Sequence, residues 1–294
     1  MAKILILGGN GMIGHQLFKS YNSKYTVMTT LRNKESYYDK LKIFNKKNSF
    51  FEVNILDFQS LETTIKNFEP NFIINAIGIT KQKVDKVDKD ECVAVNTHFP
   101  HELAKLCKNN NIKLIHLSTD CVFSGIKGNY NESDSTDCND LYGKSKAGGE
   151  VTNNQNVLTI RKSTIGFEIH QNHGLLEWFL SQKGDIHGYK NAIFSGVTTL
   201  ELSRIIENIF LKYRDIYGLW HVSGEPINKY DLLLKIKKFF KMPDVNIIID
   251  HNIVYDRTLD GNKFLKHTNY IVPDWNQMIN DLYTNSFLDR DSNV

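Results

Sequence analysis

A tyrosine and a lysine four residues apart form a pair that could do acid–base chemistry. Tyr142 and Lys146 have the spacing that places two side chains on one face of a helix. A phenol has a pKa of about 10, and a neighbouring ammonium lowers that value towards neutral pH because it favours the phenolate. The pair could therefore transfer a proton, although the same spacing also fits a buried tyrosine and an exposed lysine on an ordinary helix.

A glycine-rich segment near the N-terminus predicts a dinucleotide site. Residues 8–14, Gly-Gly-Asn-Gly-Met-Ile-Gly, follow a predicted strand, open a predicted helix and satisfy both G-x-G-x-x-G and G-x-x-G-x-x-G. Such a loop brings the backbone close to a pyrophosphate and directs a helix N-terminus at its charge. The residues expected at the cofactor are Gly8, Asn10, Gly11, Met12, Ile13 and Gly14.

The residues after the second predicted strand indicate which dinucleotide binds. An NAD site has a carboxylate about 20 residues after the glycine loop, for the ribose hydroxyls. Residues 29–34, Thr-Thr-Leu-Arg-Asn-Lys, contain no acid before Glu35. Arg32, helped by Lys34, is placed to bind a 2′-phosphate, which predicts NADP(H); the alternative is a solvated loop charge. Asp57 could reach the adenine, or only cap the next helix.

Alternating strands and helices must position these residues. The predicted strands of the first half are Lys3–Leu7, Tyr25–Thr30, Phe50–Asn54, Phe72–Ala76 and Lys113–Leu117, separated by helices at Met12–Ser20, Leu61–Phe68 and about 90–109. This alternation predicts the α/β class, with a doubly wound parallel sheet.

The second half predicts further sheet and a smaller lobe. Its predicted elements are Val157–Ile160, Gly174–Leu180, Leu200–Tyr213, Leu219–Val222, Lys229–Phe240, Val245–Ile249 and a mostly helix-and-loop segment Tyr255–Asn280. We expect residues 1–165 and about 190–222 to form a nucleotide-binding domain. Residues 166–189 and 223–294 would form a substrate lobe over the carboxyl edge of the sheet.

The ordered set of motifs resembles the extended short-chain dehydrogenase/reductase superfamily. Within it, the sequence is most similar to the dTDP-4-dehydrorhamnose reductase-like family of nucleotide-sugar 4-keto reductases. The motifs run from residue 4 to about 165; they are the glycine loop, Asn75-Ala76-Ile77-Gly78, Val95-Asn96, Ser118-Thr119-Asp120-Cys121-Val122-Phe123, and Tyr142 to Lys146 with Gly149-Glu150. The resemblance implies a Rossmann fold with a smaller C-terminal substrate lobe.

The resemblance also implies an activity. It is the NADPH-dependent reduction of the 4-keto group of a nucleotide-linked 4-keto-6-deoxy sugar, in deoxysugar and surface polysaccharide biosynthesis. Thr119 would hydrogen-bond the substrate oxygen, Tyr142 would supply the proton, and Lys146 would also hold the nicotinamide ribose. Further cofactor contacts implied are Asn75, Ala76, Gly78, Asn96, Ser118 and Tyr142. Implied substrate contacts are Thr119, Asp120, Tyr142 and Arg257, with Arg257 and Lys81 as candidates for the diphosphate.

Cys121 bears on the choice between related reactions. The similar sugar-nucleotide dehydratases carry an Asp-Glu pair after the threonine, whereas here Cys121 follows Asp120, so dehydration is not expected. In members similar to GDP-fucose synthase, a cysteine at this offset epimerises the sugar together with a histidine. Cys121 with His170 or His173 therefore suggests C3 epimerisation before reduction; the alternative is a small core residue. The substrate stays open between dTDP-linked and UDP-linked sugars, with Cys121 slightly favouring a UDP-linked 2-acetamido sugar.

Two other functions are compatible with this fold. One is a non-catalytic NADP-binding regulatory subunit, as in methionine adenosyltransferase, against which the intact Thr119, Tyr142 and Lys146 argue. The other is a redox-neutral nucleotide-sugar epimerase with bound NAD, against which the missing carboxylate before Glu35 argues.

The composition excludes several other classes of protein. The 294 residues carry a net charge of +3 and no long apolar stretch, which favours neither nucleic acid nor membrane as a partner. The four cysteines form no Cys-x-x-Cys pair, and neither His98/His101 nor His170/His173 has a third ligand at a familiar offset. We therefore expect no metal and a cytoplasmic location. Some relatives dimerise, so a homodimer is one expectation.

Overall fold

Short apolar runs in the first half form strands that lie buried between helices. The structure is a computed structural model that describes residues 2–169 and 173–291, with side chains described as far as residue 286. The first half contains β1 Lys3–Leu7, α1 Met12–Tyr21, β2 Thr26–Thr30, β3 Ser49–Phe50, α2 Phe58–Phe68, β4 Phe72–Asn75, α3 Lys89–Val93, α4 Phe99–Asn109, β5 Lys113–Leu117 and α5 Leu141–Gly148.

The second half contains shorter strands. Its elements are β6 Val157–Arg161, β7 Thr164–Ile165, α6 Leu175–Leu180, β8 Gly184–Tyr189, β9 Ala192–Phe194, β10 Val197–Thr198, α7 Thr199–Lys212, β11 Gly218–His221, β12 Ile227–Asn228, α8 Lys229–Phe239, β13 Val245–Asp250, β14 Tyr255–Arg257, α9 Asn262–Thr268 and α10 Trp275–Asp291. The segment expected to be mostly helix and loop thus begins with a strand.

Seven strands form one parallel sheet, which confirms the predicted doubly wound α/β fold. Their order is β11-β6-β5-β4-β1-β2-β3, and the direction of winding reverses between β1 and β4. In register, Leu7 at the end of β1 lies beside both Thr30 and Asn75, and Asn75 lies beside His116. The carboxyl ends of these strands are therefore level at the switch point, which is where ligands bind in open α/β sheets.

Alternate residues of the strands face the two helical layers. Ile4 and Ile6 of β1 belong to the hydrophobic cluster that includes residues of α1 and α7. Leu5 and Leu7 belong to a second cluster with residues of α2 and α4. Both faces of the sheet are thereby covered, which is the usual condition for a parallel sheet.

The smaller strands of the second half pair outside the main sheet. β8 pairs with β13 in parallel, and β9 pairs with β12 and β14. α8 packs against the β8–β13 pair. The domain boundaries given above remain a prediction.

The long helix expected over about 90–109 is interrupted. α3 is followed by a π-helical turn, Ala94–His98, before α4 begins with Pro100 in its first turn. A π-turn adds a residue to the helical turn, and such turns occur often at functional sites. The third strand is also shorter than expected: β3 ends at Phe50, and Glu52 has a φ of 58°.

In the ranges that the structure describes, no helix combines the length and the apolar character needed to cross a bilayer. All four cysteines lie in those ranges as free thiols.

Candidate active site

The glycine loop has the geometry of a pyrophosphate site. Gly8 has a φ of +85°, and its carbonyl accepts a hydrogen bond from the Gly11 amide at 3.1 Å. A Cβ on Gly14 would lie 2.0 Å from that carbonyl oxygen, so no larger residue fits there without moving the backbone. α1 begins at Met12, and no side chain caps its N-terminus. Its first amides, including that of Ile13, are therefore available to an anion.

Arg32 lies just beyond β2, with its side chain 79% exposed. A carboxyl not foreseen in the sequence lies near it: Glu91 Oε1, on α3, is 3.8 Å from Arg32 Nη1. Asp57 accepts a hydrogen bond from the Ser60 amide at 3.2 Å and caps α2, which is the second of the two interpretations offered for it. A free guanidinium edge at this position can still bind a phosphate.

The loop after β4 packs between the glycine loop and α5. The Ile77 side chain approaches Gly8, and a Cβ on Gly78 would lie 3.8 Å from Lys146 Nζ. Asn75 Oδ1 accepts from the Ile77 amide at 3.1 Å, which holds the turn. The loop after β4, including Ala76, therefore packs directly against the glycine loop, while Asn75 is fully buried.

Asn96, within the π-helical turn, binds this loop to α5. Its Oδ1 accepts from the Ile79 amide at 2.9 Å, and its Nδ2 donates to the Ile79 carbonyl at 2.9 Å and to Ser145 Oγ at 3.0 Å. The buried Asn96 thus acts on the loop and on α5 rather than pointing freely into the crevice.

The structure brings Thr119, Tyr142 and Lys146 together at the carboxyl end of β5. Thr119 follows the strand, and its hydroxyl donates to Asp120 Oδ1 at 3.1 Å. The Thr119 side chain is also close enough to Tyr142 to exert a lowering effect on the pKa of the phenol. Lys146 Nζ donates to the Leu117 carbonyl at 2.9 Å and is buried. Asp140 caps α5 by accepting from the Gly143 amide, which fixes where the helix begins. A hydroxyl, a phenol and an ammonium thus share one enclosed site.

Burial decides the protonation of these groups. Desolvation raises the pKa of Tyr142, with nearby Cys121 adding to the effect, whereas the sequence led us to expect a lowered pKa. Desolvation and the charge of Lys162 lower the pKa of Lys146 to about 8. The Tyr142 phenol therefore keeps its proton at neutral pH, as a proton donor must.

Cys121 lies two residues after Thr119, and its amide donates to Thr119 Oγ1 at 3.1 Å. Burial, with a contribution from Asp120, raises the pKa of its thiol to about 12. His170 lies outside the described residues. His173 is exposed, and its amide donates to a Glu168 oxygen at 2.8 Å. The thiol is therefore protonated near neutral pH, which does not suit it to abstract a proton.

The structure contains a buried ion pair between Glu150 and Arg161 that we did not predict from the sequence. Arg161 Nε and Nη2 donate to the two oxygens of Glu150 at 2.8 and 2.7 Å. Ser118, expected at the cofactor, donates its hydroxyl to Glu150 at 2.6 Å. The Arg161 guanidinium also lies 4.9 Å from the centre of the Phe123 ring. Glu150 and Arg161 thus contact Ser118 and Phe123, which lie on either side of Thr119 and Asp120 in the chain.

Of the residues suggested for the diphosphate, Lys81 is ion-paired with Asp140 at 2.9 Å at the surface. Arg257 is half-buried, and its Nη1 lies 3.6 Å from Cys121 Sγ. Burial lowers the pKa of two lysines that the sequence did not single out, Lys162 and Lys229, and nearby Asp120 and Cys121 partly offset this effect. Spacing could not reveal them because they come from separate elements.

Within the described residues, no group of three or more His, Cys, Asp or Glu is placed to hold a metal ion. His101 Nε2 is instead 2.8 Å from the Gly148 carbonyl oxygen.

The fold and the site together define the class of the protein. A doubly wound sheet with a glycine loop at the switch point, and a tyrosine and a lysine on a neighbouring helix, is the architecture of an extended short-chain dehydrogenase/reductase. The family model described as RmlD substrate binding domain matches residues 2–285. The chain belongs to the RmlD substrate binding domain family.

Individual relatives of this chain carry different names. The dTDP-4-dehydrorhamnose reductase of Aggregatibacter actinomycetemcomitans is 29% identical over 248 residues, which cover 80% of this chain and 78% of that protein. Methionine adenosyltransferase 2 subunit beta of Danio rerio is 24% identical over 262 residues, covering 84% and 76%. The structure of dTDP-4-dehydrorhamnose reductase from Bacillus anthracis str. Ames in complex with NADP matches with a TM-score of 0.79 at 20% identity, covering 97% of this chain and 100% of that chain.

Proposed function

We propose that this protein is an NADPH-dependent reductase of the 4-keto group of a nucleotide-linked 4-keto-6-deoxy sugar, in the biosynthesis of deoxysugars for polysaccharide. The observation that carries the proposal is the convergence of Thr119, Tyr142 and Lys146 beside the loop that contacts Gly8. A reductase relative at 29% identity supports the same activity. The neighbour that was solved with NADP supports the cofactor.

The cofactor would bind along the switch point. The amides of the glycine loop and of the first turn of α1 suit its pyrophosphate, Arg32 suits the 2′-phosphate, and Lys146 suits the nicotinamide ribose. NADPH, when bound, supplies the hydride.

The side chains of this chain would manage the proton. Thr119 and Tyr142 hold the substrate carbonyl oxygen between two hydroxyls, which stabilises the charge that develops on it. Tyr142 then gives its proton to that oxygen. The ammonium of Lys146 stabilises the phenolate left behind, which lowers the free energy needed for the proton transfer.

We expect activity to fall at alkaline pH. Lys146 has a pKa of about 8, lowered from 10.5 by burial, so the ammonium is present below that pH and is lost above it. With saturating NADPH, kcat/KM for the nucleotide sugar should decline by up to about tenfold per pH unit above pH 8. A profile from pH 6 to 10 measures this. Lys146→Arg should remove the alkaline decline, because a guanidinium stays charged; a wild-type profile flat to pH 9.5 would contradict the assignment.

We expect Arg32→Ser to change the choice of cofactor. Losing a charged contact to the 2′-phosphate should raise KM for NADPH by at least about tenfold and leave KM for NADH within about twofold. Initial rates with each cofactor measure the effect, and Lys34→Ser should give a smaller change. Equal changes in KM for NADPH and NADH would show that Arg32 does not bind the 2′-phosphate.

The test of the proposed function is a substrate panel. NADPH consumption is followed with dTDP-linked and UDP-linked 4-keto-6-deoxy sugars, with and without a 2-acetamido group, and product stereochemistry is read by NMR. Turnover of any of them supports the proposal. Tight NADPH binding without turnover of any would favour the second candidate, a regulatory subunit, which the similarity to methionine adenosyltransferase 2 subunit beta suggests.

Epimerisation at C3 is read from the same products in deuterated water. Because the Cys121 thiol has a pKa of about 12, our proposal is reduction without prior epimerisation. Deuterium at C3 in the wild type, lost in Cys121→Ala, would establish the epimerase step instead.

A further inference from the structure

A carboxylate from a distant part of the chain lies beside Arg32. Arg32 follows β2, where the 2′-phosphate of NADP(H) would bind, and Glu91 lies on α3. Glu91 Oε1 is 3.8 Å from Arg32 Nη1, and the Glu91 and Arg32 side chains are 37% and 79% exposed. The guanidinium that suits a phosphate therefore has a negative charge next to it, which phosphate binding by itself does not require.

The fold holds Glu91 in this position from both ends of its helix. Asp88 caps the start of α3 through its side chain, and Cys92, the residue after Glu91, is fully buried. The π-helical turn that follows α3 is fixed by Asn96, which is hydrogen-bonded to both the amide and the carbonyl of Ile79. The carboxylate is thus presented by an anchored backbone.

Other acids of this region have different partners. Glu35 Oε2 is 3.8 Å from Lys46 Nζ, and Asp57 caps α2 by accepting from the Ser60 amide. Among the described residues, Glu91 is the acid that forms an ion pair with Arg32. Its charge is therefore the one that would act most directly on a phosphate bound there.

The charges decide what Glu91 does to each cofactor. A phosphate monoester carries about two negative charges near neutral pH, whereas the 2′-hydroxyl of NAD(H) carries none. Glu91 repels that phosphate and offsets part of the attraction that Arg32 exerts on it. An exposed pair at this distance orients a guanidinium only weakly, so repulsion outweighs any benefit from positioning Arg32. The effect falls on NADP(H) and spares NAD(H).

We propose that Glu91 is a specificity-determining residue: its carboxylate opposes the 2′-phosphate at Arg32 and so weakens the preference for NADP(H) over NAD(H). This inference rests on the part of the proposed function that places the 2′-phosphate at Arg32. It gives α3 a part in the choice of cofactor, which the glycine loop and the segment after β2 do not determine alone.

The test measures cofactor binding, which needs no turnover. Calorimetry on the full chain gives Kd for NADP+ and NAD+, and for 2′,5′-ADP and 5′-AMP, which carry and lack the 2′-phosphate. At low salt, Glu91→Gln should tighten binding of NADP+ and 2′,5′-ADP about threefold to fivefold and leave NAD+ and 5′-AMP within about 1.5-fold. Glu91→Lys should tighten NADP+ binding by at least about tenfold. Because salt screens exposed charges, the gain in Glu91→Gln should largely disappear in about 0.5 M NaCl.

Glu69→Gln is the matched control. Glu69 forms a surface pair with Lys3 at 3.7 Å and precedes β4, at the opposite edge of the sheet. This variant has the same change in net charge as Glu91→Gln and should leave all four Kd values within about 1.5-fold.

Each other result has a definite meaning. Weaker NADP+ binding in Glu91→Gln would overturn the inference, because Glu91 would then orient Arg32 for the phosphate. Equal changes for NADP+ and NAD+ would also overturn it, since they would reflect the structure of α3. Unchanged binding in Glu91→Gln would overturn the inference and leave the proposed function standing if Arg32→Ser still weakens NADP+ binding. Tighter NADP+ binding in Glu91→Gln, without reduction of any 4-keto sugar by the wild type, would overturn the proposed function and leave the inference standing.

Discussion

Tyr142→Phe is expected to lower kcat for the reduction by at least about a hundredfold, the lower end of what a general acid contributes. The variant removes one oxygen from an enclosed site and leaves the ring in place. It removes the proton for the substrate oxygen and one of the two hydroxyls around it. Because burial keeps the phenol protonated, this donor is present throughout the neutral range in the wild type.

Steady-state and single-turnover rates with saturating NADPH measure the effect. NADPH affinity should stay within about twofold, since the glycine loop and Arg32 lie elsewhere. Tyr217→Phe, a half-exposed tyrosine before β11, serves as the control and should keep wild-type rates. Turnover of Tyr142→Phe within about tenfold of wild type would show that another group delivers the proton.

Arg161→Met is expected to lower the free energy of unfolding by about 3–5 kcal/mol, the range found when one partner of a buried ion pair is removed. Arg161 and Glu150 have side chains only 4% and 5% exposed, and two hydrogen bonds join them. Removing the guanidinium leaves a buried carboxylate whose remaining partner is the Ser118 hydroxyl. The loss should also loosen the segment that holds Thr119.

Urea denaturation followed by circular dichroism measures this change. The double variant Arg161→Met/Glu150→Leu should recover part of the lost stability, because no charge is then left buried without a partner. Lys66→Met breaks a surface pair with Glu62 and should change stability by less than about 0.5 kcal/mol. A loss below about 1 kcal/mol in Arg161→Met would mean that water or another group replaces the guanidinium.

Strands with a continuous apolar run were predictable, whereas short strands were not. β1 and β5 have the predicted bounds because each is a five-residue run with a clear start and end. β7, β10 and β12 contain two residues each, too few to show a period of two. The π-helical turn after α3 could not be predicted either, because hydrophobic spacing carries no information about the hydrogen bonds that Asn96 makes with a distant loop.

The sequence by itself determined what depends on neighbours in the chain: the turn of the glycine loop, the shared helical face of Tyr142 and Lys146, and the α/β alternation. Only the tertiary structure decided the direction of the Tyr142 pKa, since desolvation by burial is the largest influence on it. It also brought Glu91 to Arg32 and Arg257 to Cys121. Solvent exclusion and contacts between distant segments arise only when the chain is packed, and local spacing does not encode them.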